Sequence, residues 1–217
     1  FDVPKKERLI IPLYKYFKNV SEKTNFKDNI NIGLGVDTSG KIKIIDLLKT
    51  RHVLVGGTTG SGKSVFLQTL IVNLISCYKP EMVRIIIIDP KQLDFTMFEG
   101  LPHLEPHGKV IHKTTAADKI LSEILKLIEI RKQKITGIAL NVKSYNEIVD
   151  ENERIPYVVV IIDEYADFLL SFKDKKKRDE LEEKICRIAQ ISRALGIRLV
   201  LATQRPEANI VTGLIKA

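Results

Sequence analysis

The chain has 217 residues, of which 44% are hydrophobic and 29% are charged, as in an ordinary globular domain. Its two cysteines, Cys77 and Cys186, are too few for a disulfide framework or a cysteine zinc site, and they fit a reducing compartment. No apolar run approaches the roughly 18 residues that a membrane-spanning helix needs, and the first residues do not resemble a signal peptide. The net charge of +8 permits a polyanionic partner such as nucleic acid but does not select one.

The beginning of the chain predicts a lead-in segment followed by a hairpin. We interpret residues 1–30 as the lead-in, with one short helix around Leu13–Lys18, and residues 31–217 as a single domain. The segments Asn31–Val36 and Lys41–Ile45 predict two strands, and Asp37–Gly40 supplies the turn chemistry between them.

The next element contains the strongest motif in the chain. A short buried strand, His52–Gly56, leads into a loop, and a helix follows from Val65. The loop matches G-x-x-x-x-G-K-[ST], which wraps the phosphates of a nucleoside triphosphate, and it reads Gly57-Thr58-Thr59-Gly60-Ser61-Gly62-Lys63-Ser64. Its glycines let backbone N–H groups turn toward phosphate oxygens. The dipole of the following helix also attracts anions to the loop. Lys63 supplies a charge to the terminal phosphates, and the Ser64 hydroxyl is suited to Mg²⁺.

Two further apolar strands end in acidic residues. The run Val83–Ile88 is followed by Asp89, and the run Tyr157–Ile162 is followed by Asp163 and Glu164. Such continuous runs are typical of central strands that are covered on both faces. We expect Asp163 to hold Mg²⁺ opposite the phosphate loop, and Glu164 to polarise the attacking water as a general base.

Several other residues allow two interpretations each. Asp89 and Lys91 either support the nucleotide site or simply end their strand. The basic cluster Lys173–Arg178 either contacts a phosphate backbone or forms a solvated loop before a helix. Gln204 either senses the γ-phosphate and orients the water, as a catalytic residue would, or is an ordinary loop amide.

The remaining pattern predicts the rest of the fold. Lys109–His112 predicts a short strand, and Thr115–Asp118 predicts a capping box for a long helix that ends near Lys134. Another helical turn is expected over Val142–Val149. A helix that begins around Asp179 and ends at Gly196 precedes a last strand at Ile197–Thr203. Strands alternating with helices predict an α/β fold with a mostly parallel sheet and helices on both faces. Ligands bind at the carboxyl ends of such strands.

The motifs together resemble the motor domain of the FtsK/SpoIIIE family of DNA translocases. The resemblance runs from about Ile32 to the C-terminus. It is carried by Gly35–Gly40, the phosphate loop with Val65, Ile88–Lys91, Glu99–Leu104, Ser144–Asn146, Val160–Asp167, Leu201–Pro206 and Gly213–Ala217. It implies a RecA-like P-loop fold in which Asp163 is the Walker B acid, Glu164 is the catalytic acid/base, and residues 57–65 bind ATP.

The resemblance also implies partners and a location. It implies a homohexameric ring that hydrolyses Mg-ATP to pull double-stranded DNA in chromosome segregation or cell division. A neighbouring subunit is expected to supply an arginine, and Arg187, Arg193 and Arg205 are all candidates. The protein is expected in the cytoplasm, at the membrane face only through segments outside this chain. The family pattern continues past Ala217, so we expect the domain to be incomplete there.

Two alternatives remain open. One is a related ring ATPase of conjugative DNA transfer or type VII-like protein secretion, because such relatives share the same nucleotide site. The other is a nucleotide-binding scaffold that does not hydrolyse ATP, which the intact set of Lys63, Ser64, Asp163 and Glu164 disfavours.

Overall fold

A computed structural model of the chain describes residues 17–18, 29–91 and 94–204. Phe17 and Lys18 are helical, whereas the rest of the predicted lead-in helix lies outside the described residues. The predicted hairpin is confirmed: β1 (Asn31–Val36) pairs antiparallel with β2 (Ile42–Asp46), with a bulge between Gly33 and Gly35.

A four-stranded parallel sheet forms the centre of the domain, in the order β3-β6-β5-β4. Its elements in chain order are β3 (Val53–Gly56), α1 (Lys63–Cys77), β4 (Val83–Ile88), α2 (Thr114–Ile135), α3 (Val142–Ile148), β5 (Tyr157–Ile162), α4 (Tyr165–Leu170), α5 (Lys175–Ile191) and β6 (Ile197–Thr203). Two 3₁₀ turns lie at Thr96–Phe98 and Glu151–Glu153. The predicted α/β fold with a mostly parallel sheet is therefore confirmed.

The central strands β4, β5 and β6 are mostly apolar because both faces of the sheet are covered. Alternate residues point to opposite faces, so Val159 and Ile161 of β5 pack with α1 and the hairpin. Val158, Val160 and Ile162 of the same strand pack instead with α2 to α5. Two hydrophobic cores therefore lie on either side of one sheet, and they fix the strand ends relative to each other.

Polar side chains attach the hairpin to the rest of the domain. The backbone N–H of Asn31 donates to the Tyr78 hydroxyl at 2.6 Å, and that of Gly33 donates to the Asn73 side-chain oxygen at 2.9 Å. From β6, the buried Arg198 donates to the carbonyl oxygens of Leu47 and Leu48 at 2.7 and 2.8 Å. The hairpin is thus held by both α1 and β6.

The strand predicted at Lys109–His112 was wrong. Only Ile111 pairs with the sheet, through a single parallel bridge to Ile88. The N–H of Lys109 donates to the Pro106 carbonyl at 3.1 Å, and the N–H of Val110 donates to Glu99 Oε1 at 3.2 Å. Because a turn and a side chain take up these donors, no strand ladder extends along the segment.

Two predicted helix starts also differ from the structure. Helix α2 begins at Thr114 without a side-chain cap, and Asp118 pairs with Lys184 of α5 at 2.5 Å instead of forming a capping box. Helix α5 begins at Lys175, where the Asp174 side chain accepts a hydrogen bond from the N–H of Lys176 at 2.9 Å. Most of the basic cluster therefore lies on the first turn of a helix rather than in a loop, and Asp179 lies beyond that turn.

Candidate active site

Four chain segments that follow strands meet at the carboxyl edge of the parallel sheet. The phosphate loop follows β3, Asp89 follows β4, Asp163 and Glu164 follow β5, and Gln204 follows β6. In a parallel sheet all carboxyl ends lie on one side, so residues far apart in sequence become neighbours. This edge is where the sequence predicted the nucleotide site.

The phosphate loop has the backbone conformation that its glycines permit. Gly60 and Gly62 have φ values of +80° and +94°, and Gly62 occupies the N-cap position of α1. The loop is anchored at its start because the N–H of Gly57 donates to the carbonyl of Thr203, the last residue of β6, at 3.2 Å. A Cβ on Gly57 would lie only 2.3 Å from Ser61 Oγ, so this glycine permits a close approach within the loop.

Lys63 joins the phosphate loop to the two acids after β5. Its side chain is almost fully buried, and its Nζ hydrogen-bonds Asp163 Oδ1 and lies 3.5 Å from Glu164 Oε2. Burial raises the pKa of Asp163, although the hydrogen bond and the charge of Lys63 act in the opposite direction. The structure thus brings together Lys63, Asp163 and Glu164.

Glu164 is the most constrained member of this group. It is 1% exposed and adopts a left-handed backbone conformation, with φ of 48°, immediately before α4. Its Oε1 atom accepts from the N–H of Gln204 at 3.0 Å and from the Thr203 hydroxyl at 3.3 Å. The Gln204 side chain in turn accepts from the Thr59 hydroxyl at 3.0 Å. Gln204 therefore connects the phosphate loop with Glu164.

Lys91 completes the electrostatic surroundings of Glu164. Its Nζ lies 2.8 Å from Asp167 Oδ2 and 3.8 Å from Glu164 Oε2. The bond to Asp167 raises the pKa of Lys91, so the ammonium stays charged at neutral pH. The sequence left open whether Lys91 supports the site or simply ends its strand. Its position beside Glu164 and Asp167 favours the first interpretation.

The sequence reasoning missed Thr203 and Asp167. Thr203 is the last residue of β6, directly before Gln204, and Asp167 lies three residues after Glu164 on the first turn of α4. A helical spacing of three places Asp167 on the same side as Glu164, and this spacing was the available signal. Asp89 is buried, and its Oδ1 accepts from the N–H of Lys91 at 3.0 Å.

A magnesium ion fits the donor chemistry of two residues here. Mg²⁺ prefers oxygen ligands and usually takes only one or two from protein side chains, the others coming from water and phosphates. The Ser64 hydroxyl at the start of α1 and the Asp163 carboxylate at the end of β5 are oxygen donors of this kind. Among the described residues, no group of three or more histidines, cysteines or acids is arranged to hold a metal.

The site combines the buried lysine of a phosphate loop with two acids at the end of β5, at one edge of a parallel sheet. Together they define a P-loop ATPase with a RecA-like fold. The sequence pattern of the FtsK/SpoIIIE family matches residues 17–208, and the chain belongs to this family.

Curated relatives agree with this assignment. The chain is 43% identical over 199 residues to DNA translocase FtsK of Leptospira interrogans, covering 88% of this chain and 20% of that protein. It is 36% identical over 220 residues to DNA translocase SftA of Bacillus subtilis, covering 100% of this chain and 22% of that protein. The chain therefore spans only a small part of the length of these relatives.

Solved structures show the same fold. The pCW3 conjugation coupling protein TcpA, in a monomer form with ATPγS, superposes with a TM-score of 0.70 at 28% identity, covering 91% of this chain and 53% of that chain. The cytoplasmic domain of the type VII secretion ATPase EccC from Thermomonospora curvata superposes with a TM-score of 0.73 at 22% identity, covering 92% of this chain and 24% of that chain. None of the helices in the described part of the present chain has the length and apolar character needed to span a bilayer.

Proposed function

We propose that this chain is the ATP-hydrolysing motor domain of a double-stranded DNA translocase that works as a homohexameric ring. One observation carries the proposal: Lys63 of the phosphate loop is buried against Asp163 and Glu164 at the carboxyl edge of the sheet. The relatives that are named DNA translocases support DNA as the molecule that is moved.

Each residue of the site has a role in this proposal. Lys63 binds the terminal phosphates, while residues 57–65 enclose them with their backbone N–H groups. Ser64 and Asp163 hold Mg²⁺, which when bound neutralises charge on the phosphates. Glu164 accepts the proton of the attacking water as general base, and Gln204 orients that water or senses the γ-phosphate.

Helix α5 offers a surface for the DNA backbone. Lys175, Lys176 and Lys177 are exposed on its first turn, which carries no acidic residue. The helix dipole disfavours cations at a helix N-terminus. These lysines therefore do not stabilise α5 in the isolated domain. Phosphates placed over the turn would pair with these cations, and the resulting contacts would be sensitive to salt.

The ring and the location of the protein are further parts of the proposal. Arg187 and Arg193 are exposed, and either is available to the nucleotide site of a neighbouring subunit, whereas Arg205 lies outside the described residues. The protein acts in the cytoplasm, at the membrane face if segments outside this chain provide an anchor.

A second candidate function is favoured by one specific observation, the 28% identity to the conjugation coupling protein TcpA over 91% of the chain. A transfer or secretion ATPase would use the same Lys63 and Glu164. Its activator would be a protein or a protein–DNA complex rather than plain duplex DNA.

The test is steady-state ATP hydrolysis with and without linear duplex DNA, at about 50 and 200 mM salt. The variant Lys175→Gln/Lys176→Gln/Lys177→Gln removes the proposed contact. Its matched control, Lys119→Gln/Lys126→Gln/Lys132→Gln, removes three exposed lysines from α2.

We expect DNA to stimulate wild-type hydrolysis and salt to reverse the stimulation. The α5 variant should lose stimulation, and its salt slope should fall by about one unit per lysine, while the α2 control stays like wild type. Hydrolysis indifferent to DNA would favour the transfer or secretion function. DNA stimulation that is equal in both variants would exclude α5 as the contact.

A further inference from the structure

The Glu164 carboxylate has two unlike oxygen atoms. Its Oε1 is held by the end of β6 through the N–H of Gln204 and the hydroxyl of Thr203. Its Oε2 is buried and makes no hydrogen bond within the described part of the chain. Two ammonium groups lie within 4 Å of Oε2: Lys63 Nζ at 3.5 Å and Lys91 Nζ at 3.8 Å. Oε2 is therefore the oxygen with lone pairs left to accept a proton from water.

The two lysines are not equivalent. Lys63 belongs to the phosphate loop and also hydrogen-bonds Asp163, so in the proposed function its charge is directed to the phosphates. Lys91 lies after β4, and its backbone is fixed because its N–H donates to Asp89 Oδ1 at 3.0 Å. Lys91 is thus the cation near Glu164 that does not belong to the loop.

Lys91 also forms an ion pair with the helix that begins directly after Glu164. Its Nζ pairs with Asp167 Oδ2 at 2.8 Å, and Asp167 lies on the first turn of α4. Glu164 has a left-handed backbone conformation, which is unfavourable for a residue with a side chain and persists only when its surroundings enforce it. Because it lies near both Glu164 and Asp167, Lys91 links the end of β4 to the bend and to the first turn of the helix after it.

We propose that Lys91 is a positioning residue for ATP hydrolysis, which fixes the bend at Glu164 and directs Oε2 toward the attacking water. This inference rests on the proposed function. Lys91 acts through Glu164, so it is needed for the chemical step more than for nucleotide binding. A displaced general base loses most of its effect even when substrate binding is intact.

The experiment measures kcat and KM for ATP, together with the melting temperature, for the wild-type chain and three variants. Lys91→Gln removes the charge, and Lys91→Arg keeps it. The matched control is Lys119→Gln, which breaks an exposed lysine–glutamate pair of 3.9 Å on α2.

For Lys91→Gln we expect kcat to fall about 10- to 100-fold while KM changes less than about 3-fold. Lys91→Arg should recover most of the loss, and Lys119→Gln should match wild type. Should Lys91→Gln fail to fold, Asp167→Asn serves instead, because it removes the 2.8 Å partner of Lys91. It is expected to lower kcat about 3- to 10-fold.

Two results would overturn the inference and leave the proposed function standing: wild-type kcat in Lys91→Gln, or a loss that lies entirely in KM. A Lys91→Arg variant as slow as Lys91→Gln would also overturn it, because the charge would then not be the cause. A wild-type chain that never hydrolyses ATP, with or without DNA, would overturn the proposed function and this inference together.

Discussion

At the scale of single residues, the candidate site places two buried carboxylates against two ammonium groups, of which Lys63 is buried and Lys91 is exposed. Asp163 and Glu164 are 4% and 1% exposed, and Lys63 and Lys91 lie against them. A buried carboxylate without a cation nearby is strongly disfavoured, so each lysine stabilises the acids as well as serving chemistry. Substitutions here therefore need a stability control beside every activity measurement.

His52 should make the stability of the fold depend on pH, independently of catalysis. Its Nδ1 accepts a hydrogen bond from the N–H of Leu199 at 3.0 Å, so its other nitrogen, Nε2, donates to the Ala189 carbonyl at 2.7 Å. Burial lowers the pKa of His52 in the folded chain, although the bond to Ala189 opposes this. As pH falls through about 6.5, His52 is protonated in the unfolded chain but stays neutral in the folded chain. The free energy of unfolding therefore decreases.

Urea unfolding at pH 7.5 and 5.5 measures this effect in wild type and in His52→Gln. Since His52 is partly exposed, we expect wild type to lose at most about 1 kcal/mol more than the variant over this range. The other three histidines are present in both chains and cancel in the comparison. The same pH dependence in both proteins would show that His52 remains free to protonate when folded.

At the scale of elements, Arg198 determines how the hairpin sits on the sheet. It is 4% exposed, and its guanidinium donates to the carbonyl oxygens of Leu47, Leu48 and Arg193 at 2.7 to 2.9 Å. These acceptors lie in the turn after β2 and in the turn before β6. One side chain therefore satisfies backbone groups of two elements that have no ladder in common.

Replacing Arg198 by methionine keeps the bulk of the side chain but removes these donors. We expect the free energy of unfolding to fall by about 3 kcal/mol, because the buried carbonyl of Leu47 and the partly buried ones of Leu48 and Arg193 lose their partner. The comparison is Arg187→Met, an exposed arginine on α5, which should change stability by less than about 0.5 kcal/mol. Equal unfolding free energies for both variants would mean that the hairpin does not depend on Arg198.

The elements that the sequence predicted well are those with a contiguous signal. The runs Val83–Ile88 and Tyr157–Ile162 consist mostly of β-branched apolar residues, and the phosphate loop is a single motif. Lys109–His112 contains a shorter β-branched pair, Val110 and Ile111. The N–H groups of Lys109 and Val110 bond to Pro106 and Glu99, which no local pattern shows. Strand pairing depends on neighbours in space, and so it was predicted less well.

Helix starts and side-chain partners were also predicted less well from the sequence. Asp118 was expected to cap its own helix, but it pairs with Lys184, which is 66 residues away. The contacts of Glu164 with Lys91 and Thr203 are likewise made between elements that are distant in sequence. The sequence therefore predicted the members Lys63, Asp163, Glu164 and Gln204, but not how they are held.

At the scale of the whole molecule, the parallel sheet is what turns separate motifs into one site. Its order β3-β6-β5-β4 puts the phosphate loop next to the end of β6, and β6 next to the end of β5. Gln204 consequently lies between Thr59 and Glu164 and contacts both. Two hydrogen bonds therefore connect the ends of these three strands.

In the proposed function, Glu164 activates water for hydrolysis of ATP that is bound through Lys63. The most direct test measures ATP affinity and the hydrolysis rate of wild type, Glu164→Gln and Lys63→Ala, each with duplex DNA present. We expect Glu164→Gln to bind ATP within about 3-fold of wild type while hydrolysis falls at least about 100-fold, and Lys63→Ala to lose both. Hydrolysis by Glu164→Gln at the wild-type rate would show that Glu164 is not the general base.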